Sequence, residues 1–581
     1  MIKKLAPFMR RYRVPAILCP VAIILEVIID VSIPLLMANI VDRGIPNQDV
    51  VLITRTGVLM IGLALFALLV GVSSSWLAST AAMGFGSEIR KRLFSRIQTF
   101  SFARLDKFGV PTLITRLTND VNNLQNITMM GLRMAFRAPF MLIMALVLAI
   151  RINSGLATVF FVAIPILTVG LGLIMSNAYP RFRALQRKLD KLNSTVQENL
   201  ISIRVVKAFV RSTFEKNRFR DANQDLRDGA LKAIRLVILN GPMMQLAIYA
   251  CIIAVLWFGG GMVQSGGMLT GQLISFISYV NQILRSLMML SMVFLFSVRA
   301  KASGERVIEV LETDSGMTEP DPETLEMMGD EVPDGSVEFR AVDFRYSEEA
   351  EQNVLSNISF EIRSGETIGI IGATGSGKTS LVSLIPRLYD ATVGEVLVGG
   401  RDVRDYSLKT LRDAVAVVLQ NNTLFTGTIR ENLQWGKEDA NDEELMAVCQ
   451  TAQAAEFIEK MPEGLDTMLG QGGVNLSGGQ KQRLCIARAL LKYPKIIILD
   501  DSTSAVDTAT DSRLRQGFAE TLQDVTVIII AQRINSIQHA DRILVLDDGR
   551  INGIGTHDEL MEQNEIYRDV FNSQQEGMKD Q

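Results

Sequence analysis

The sequence predicts two fold classes joined in one chain: an α-helical transmembrane domain of six spans with long cytoplasmic helical extensions, fused to an α/β domain of the P-loop kind. Three observations predict this. Six long apolar runs fill the first 300 residues. After Leu311, short β-rich runs alternate with turn and helix signals. The glycine-rich segment 372–379 has the spacing of a phosphate-cradling loop.

Composition agrees. A length of 581 residues calls for at least two domains. The mean hydropathy of +0.23 is high for a soluble protein and low for one immersed wholly in lipid. Lys and Arg number 59 against 62 Asp and Glu, a net charge of -3 that gives no support to a nucleic-acid partner. The four cysteines, Cys19, Cys251, Cys449 and Cys485, are far apart, which excludes a disulfide-stapled secreted domain.

The apolar runs cover residues 14–41, 56–82, 134–150, 156–178, 236–263 and 272–298. A helix needs about 20 residues to cross about 30 Å of hydrocarbon; the third run is the shortest. Loop charge sets the orientation. The N-terminus carries Lys3, Lys4, Arg10, Arg11 and Arg13, and the loops after runs two and four are rich in Lys and Arg. The segments near Arg151 and at 259–271 are short and nearly uncharged. Both termini and the two long loops should therefore face the cytoplasm, in a multi-pass protein of the inner (cytoplasmic) membrane. A cleavable leader fits badly, because the first run is long and contains Glu26 and Asp30.

The long loops, 85–120 and 181–235, interleave charge with apolar residues at helical intervals and read as extensions of the spans. Gly109 and Pro111 should interrupt the first extension. Glu26 and Asp30 share one face of the first span, as a structural hydrogen-bonded pair or as a binding face for cationic amphiphiles. Asn281, Gln282 and Arg285 make the sixth span polar enough to line a watery pathway. Methionines recur in spans three and six (Met141, Met144, Met288, Met289, Met292) and suit packing or a promiscuous surface.

Residues 314–335 are rich in Asp, Glu, Pro and Gly and read as a linker between a transmembrane domain, 1–313, and a nucleotide-binding domain, 336–581. In the latter, Gly372, Thr374, Gly375, Ser376, Gly377, Lys378 and Thr379 form the G-x-x-x-x-G-K-[ST] pattern between a strand at 367–371 and a helix at 380–388. Such a loop wraps phosphates with backbone N–H groups, reaches them with Lys378 and offers the Thr379 hydroxyl to Mg²⁺. Ser380 follows as a further nucleotide contact. The apolar run 495–501, KIIILDD, ends in Asp500, placed to hold Mg²⁺ through water. ATP and Mg²⁺ are the expected ligands.

The segment LSGGQKQRLCIARALL, containing Ser477 and Gly479, resembles the signature of the ABC transporter ATPases. Other family marks occur in order: Tyr346 in VDFRYS at the position that stacks on adenine, Gln420 at the Q-loop position that also reaches Mg²⁺, and 504–507 as the D-loop. Residues 116–120, RLTND, and VVKAFVRSTFEKNRF resemble the intracellular loops of type IV ABC exporters, so the resemblance covers nearly the whole chain. It implies a half-transporter. Two ATPase domains would enclose two ATPs head to tail, with Ser477 serving the partner's nucleotide. Coupling helices are implied near 104–109 and 209–215.

The sequence departs from that pattern at three places. Asp501 stands where active members carry the Glu that activates water, one methylene short of its reach. Gln532 stands where they carry a His at the γ-phosphate, and the only histidines, His539 and His557, lie beyond that turn. Gln471 replaces a Glu ahead of the signature. The chain thus resembles the degenerate-site subunit of a bacterial heterodimeric multidrug exporter. Its expected partners are a second half-transporter with intact catalytic Glu and His, membrane lipid and a hydrophobic small molecule. Six spans exclude a soluble structural ATPase. The fusion of spans to ATPase disfavours an importer, and the lack of an N-terminal extension disfavours a peptide exporter with a fused peptidase-like module. A lipid or peptide exporter and an ATP-gated regulatory or channel-like subunit are the alternatives.

Overall fold

A computed structural model describes residues 2–347, 350–501, 508–522 and 524–579. The chain forms two compact units, Met1–Arg96 with Pro111–Thr313, and Ile97–Val110 with Asp314–Gln581.

In the first unit, six helices among the described residues are long and apolar enough to cross a membrane. They are built on Arg13–Asn39, Val50–Gln98, Val121–Ile152, Thr158–Ile201, Asn240–Gln264 and Thr270–Glu312. At 1.5 Å per residue, the helix Val50–Gln98 is roughly 70 Å long, more than twice the hydrocarbon thickness. The loops expected as helical extensions are mostly helix, with breaks at 99–101, 109, 202 and 209–211. The third run proves longer than its hydropathy indicates: Arg133 and Arg137 interrupt the apolar pattern but not the helix.

Spans one and six lie backbone to backbone. A Cβ on Gly271 would come within 2.5 Å of the Ala38 carbonyl oxygen, so only glycine fits. Pro34, inside the first span, has no N–H for the Asp30 carbonyl one turn earlier. Gln282 of span six donates to that carbonyl at 3.3 Å, Tyr279 donates to Val31 O at 2.9 Å, and Ser275 to Pro34 O at 2.6 Å. Polar groups of the sixth span thus repair a proline-broken helix. Of the residues expected to face a watery pathway, Gln282 is used this way, Asn281 bonds its own helix at Ile277 O, and Arg285 is exposed.

Glu26 and Asp30 do not pair with each other. Both bind Arg137 of the third span, at 2.5 and 2.8 Å. Farther along the chain, Arg116 and Asp120 of the RLTND segment are both buried. Arg116 pairs with Glu309 at 2.9 Å, and Arg306 Nε donates to Asp120 at 2.8 Å. The stretch expected as a second coupling helix, 209–215, divides: 209–211 is a break, with Phe209 and Val210 strongly exposed after the helix Ile203–Ala208, and 212–215 is the first turn of the helix Ser212–Ile238.

The second unit is α/β. Its six-stranded sheet runs Arg550–Gly555, Arg542–Asp547, Thr367–Ile371, Thr526–Ile530, Ile496–Asp500, Val415–Val418; all neighbours are parallel except the first pair. Alternation along the strands builds two cores. Ile496 and Ile498 pack with Phe339 and Val398 of a four-stranded antiparallel sheet, whereas Ile497 and Leu499 pack with the helical residues Leu445 and Ile486. In the expected linker, Pro322–Met328 is a short helix with proline in its first turn and Gly329 at φ +70° at its end, the usual start and stop residues.

The segment Phe102–Phe108 is a helix of this unit. Ser101 caps it by accepting from Arg104 N at 3.3 Å, and Gly109 at φ +71° ends it. It meets Tyr389 twice. The Tyr389 hydroxyl donates to Asp106 at 2.7 Å, and the Phe102 ring lies 6.1 Å from the Tyr389 ring.

Candidate functional site

The strand Thr367–Ile371 delivers the chain into the loop, and the helix Lys378–Leu384 leaves it. Gly375 and Gly377 stand at φ +87° and +97°, where a side chain would be strained. A Cβ on Gly372 would come within 2.1 Å of Leu546 O, so this position also demands glycine. Lys378 Nζ donates to the loop's own carbonyls, Gly372 O and Ala373 O, both at 2.8 Å. The Ser376 hydroxyl is buried without a hydrogen-bond partner among the described residues.

A cavity of about 360 Å³ opens beside this loop. It collects Tyr346, Thr374, Gly375, Gly377, Lys378, Thr379, Ser380, Gln420, Asp500, Asp501 and Gln532, drawn from segments far apart in sequence. Gly372 and Ser376 shape the loop without lining the cavity, and Ser477 and Gly479 are not among its lining residues. The D-loop residues 504–507 lie outside the described residues.

The carboxylates sit at the end of the strand Ile496–Asp500. Asp500 is buried and hydrogen-bonded by Thr379. Burial pushes its carboxyl above the usual range, as does the neighbouring Asp501 charge, while Lys378 opposes this. Burial likewise lowers the Lys378 ammonium, against the pull of Asp500 and Asp501. Asp501 adopts φ +48°, a left-handed conformation that Asp tolerates better than most residues. Its Oδ2 accepts from Gln532 Nε2 at 3.0 Å and sits 3.5 Å from Gln420 Nε2. Two of the three departures from the family pattern are therefore hydrogen-bonded to each other. Burial raises the Asp501 carboxyl too, and the Gln420 contact, Lys378 and Arg533 hold it down.

Two supports escaped sequence reasoning. Gln482, buried in the signature helix Gly478–Leu490, donates to Asp501 O at 3.4 Å. Gln574 of the C-terminal helix clamps the turn that carries Gln532, donating to Gln532 O at 2.8 Å and accepting from Ile534 N at 2.9 Å. Neither glutamine has a local signal, since each acts across 19 to 42 residues of chain. Tyr389 was missed as well. Its ring meets Tyr346 edge-on at 5.1 Å, and the Tyr346 hydroxyl bonds Ser380 at 2.7 Å. A chain of contacts thus runs from Phe102 and Asp106 to the residue after Thr379. Ser477 caps the signature helix, its hydroxyl accepting from Gln480 N at 3.3 Å and its N–H donating to Gln480 Oε1 at 2.9 Å.

The donor set fits a nucleotide with Mg²⁺. It offers a lysine amine, left-handed glycines that open the loop, and the hard oxygens of Thr379, Asp500 and Gln420.

Comparison with known proteins decides the family. Residues 16–287 match the family model described as the ABC transporter transmembrane region, and residues 355–504 match the one described as ABC transporter. The chain is 39% identical over 573 residues to the uncharacterised ABC transporter ATP-binding protein YfiB of Bacillus subtilis, covering 99% of this chain and 98% of that one. This chain is an ABC transporter. It is also 38% identical to an uncharacterised ABC transporter ATP-binding protein of Mycobacterium tuberculosis, covering 93% of each. A putative multidrug export ATP-binding/permease protein of B. subtilis, YgaD, is 31% identical to it, with 99% of each covered. In fold the ABC transporter chain is similar to a bacterial Atm1-family ABC exporter with ATP bound, with a TM-score of 0.81, 24% identity and coverage of 97% of this chain and 98% of the other. One membrane domain with one ATPase domain makes it a half-transporter, and its ATPase domain implies ATP hydrolysis coupled to transport.

Proposed function

We propose that this half-transporter is one subunit of a heterodimeric exporter that moves drug-like amphiphiles out of the cytoplasm by alternating access, and that its own nucleotide site binds ATP without efficient hydrolysis. The observation that carries the reading is the 3.0 Å bond from Gln532 to Asp501. A general base must reach the attacking water to within hydrogen-bond distance. The Asp501 carboxylate is one methylene short and is held by an amide that has no titratable proton. Both deficits fall on one contact, while the loop, Lys378, Thr379 and Asp500 are intact.

Within such a site, Lys378 would exchange its two loop carbonyls for phosphate oxygens, and Tyr346 would present its ring to the base. Thr379, Asp500 and Gln420 would hold Mg²⁺, which neutralises phosphate charge when bound. Ser477 and Gly479, outside this cavity, would close the partner's competent site in trans. The chain has a multidrug-type relative, YgaD, which supports the substrate class. The test is ATPase activity of the chain alone and with a second half-transporter that carries the missing Glu and His. Negligible activity alone and strong activity together is the expected result.

A further inference from the structure

We propose that a cavity in the membrane unit, bounded by spans one, three and six, binds the head group of a zwitterionic amphiphile, with Glu26 accepting its ammonium and Arg133 binding its anionic group. The inference deepens the reading that the chain moves amphiphiles and rests on it.

The cavity measures about 310 Å³, and Glu26, Arg133, Arg137, Met130, Met134 and Met289 are among its lining residues. Two carboxylates, Glu26 and Asp30, share one guanidinium, Arg137. Glu26 spends Oε1 on that pair, and its Oε2 is buried with no hydrogen-bond partner among the described residues. A buried carboxylate oxygen without a donor is costly and needs an explanation. The carboxylate is also confined from behind: a Cβ on Gly71 of span two would lie 3.3 Å from Glu26 Oε1.

Arg133 precedes Arg137 by four residues on the same helix, so it shares that face, about 6 Å away along the axis. Unlike Arg137, it makes no hydrogen bond or ion pair among the described residues. The cavity thus offers an acceptor for a cation and, one helical turn away, a donor for an anion. The four charges, Glu26, Asp30, Arg133 and Arg137, sum to zero. A ligand with only an ammonium meets Arg133, and one with only an anion meets the two carboxylates. A ligand carrying both groups a short link apart, such as a phosphoethanolamine head, satisfies both and is selected against either half. The methionine walls are apolar and adaptable and suit the organic body behind the head. The volume holds a head group and its first methylenes but no whole lipid.

The test measures ligand binding to the full-length chain, purified with its partner in a neutral maltoside detergent, by native mass spectrometry. The probes are dihexanoyl phosphatidylethanolamine, dihexanoyl phosphatidylglycerol and O-phosphoethanolamine. The ethanolamine lipid should bind about tenfold tighter than the glycerol lipid, the size of one charge-assisted hydrogen bond. Glu26→Gln should abolish that preference, and Arg133→Gln should weaken the ethanolamine lipid about tenfold. O-phosphoethanolamine binding as well as the lipid makes a free zwitterion the ligand, whereas much weaker binding makes it a lipid head; either supports the site. Equal binding of the two lipids, or a preference that survives Glu26→Gln, overturns it. Should Glu26→Gln fail to fold, Arg133→Gln at its exposed position decides: unchanged ethanolamine-lipid binding overturns the site. Head-group binding without ATP-driven transport overturns the exporter reading alone, and transport of other amphiphiles without head-group preference overturns this site alone.

Discussion

Gln532 and Asp501 are 31 residues apart in sequence and 3.0 Å apart in space, so the two unusual residues of the site form one local arrangement. Asp501→Glu alone should therefore leave the site largely inactive. The longer carboxylate regains reach but still faces an amide, on a left-handed backbone position that favours Asp. A lost catalytic group costs roughly 10²–10⁴ in rate, so repairing one of two leaves most of the deficit. The pair Asp501→Glu with Gln532→His should exceed either single change. ATPase of the complex, with the partner's catalytic Glu changed to Gln, reads this site alone; near-normal turnover from Asp501→Glu would refute the paired-defect account. The opposite division is expected for the intact residues. Ser477→Ala should reduce ATPase of the complex by roughly 10²-fold, as loss of a transition-state donor does. Losing its helix cap costs only about 1 kcal/mol of stability and cannot explain such a fall. Lys378→Ala should weaken nucleotide binding at this site about tenfold while changing turnover several times less. A larger turnover loss from Lys378→Ala than from Ser477→Ala would reverse the assignment of sites. At this scale the residues that line the cavity were legible because their motifs are local. The glutamines that hold them, Gln482 and Gln574, were not, because distant chain segments bring them in.

Single elements show how much a period conveys. Apolar runs and breaker residues located the six spans and the interruption at Gly109, whose φ of +71° ends the helix Phe102–Phe108. Hydropathy alone misjudged the third span, because Arg133 and Arg137 lower its average without breaking it. It also could not show that Glu26 and Asp30 share the guanidinium of Arg137 from another helix. The helix Phe102–Phe108 is linked to the nucleotide cavity through Tyr389, which touches Asp106, Phe102 and the Tyr346 ring. Tyr389→Phe keeps the ring contacts and deletes one hydrogen bond, a loss of about 0.5–1.5 kcal/mol. Basal ATPase of the complex should stay within about twofold, and stimulation by transported substrate should fall by a factor of about 2–10. An unchanged stimulation ratio would show that Tyr389 carries no coupling.

For the molecule as a whole, the sequence divides at the composition shift after Leu311, and the structure forms two compact units divided at Thr313 and Asp314, except that residues Ile97–Val110 join the C-terminal unit. That exchange was invisible to composition, since it depends on Ser101, Phe102 and Asp106 meeting residues more than 200 positions later. On the proposed reading, Ser477 and Gly479, which are not among the lining residues of their own chain's cavity, serve the partner's nucleotide. A half-transporter with a weak base and no histidine at its γ-phosphate turn should need a partner for turnover, since two copies would pair two defective sites. The most direct measurement is the steady-state ATPase rate of the purified chain alone against that of its one-to-one complex with a half-transporter carrying the catalytic Glu and His. The account predicts a rate for the chain alone lower by roughly 10²-fold or more, the cost of a missing general base. Robust turnover by the chain alone would contradict it.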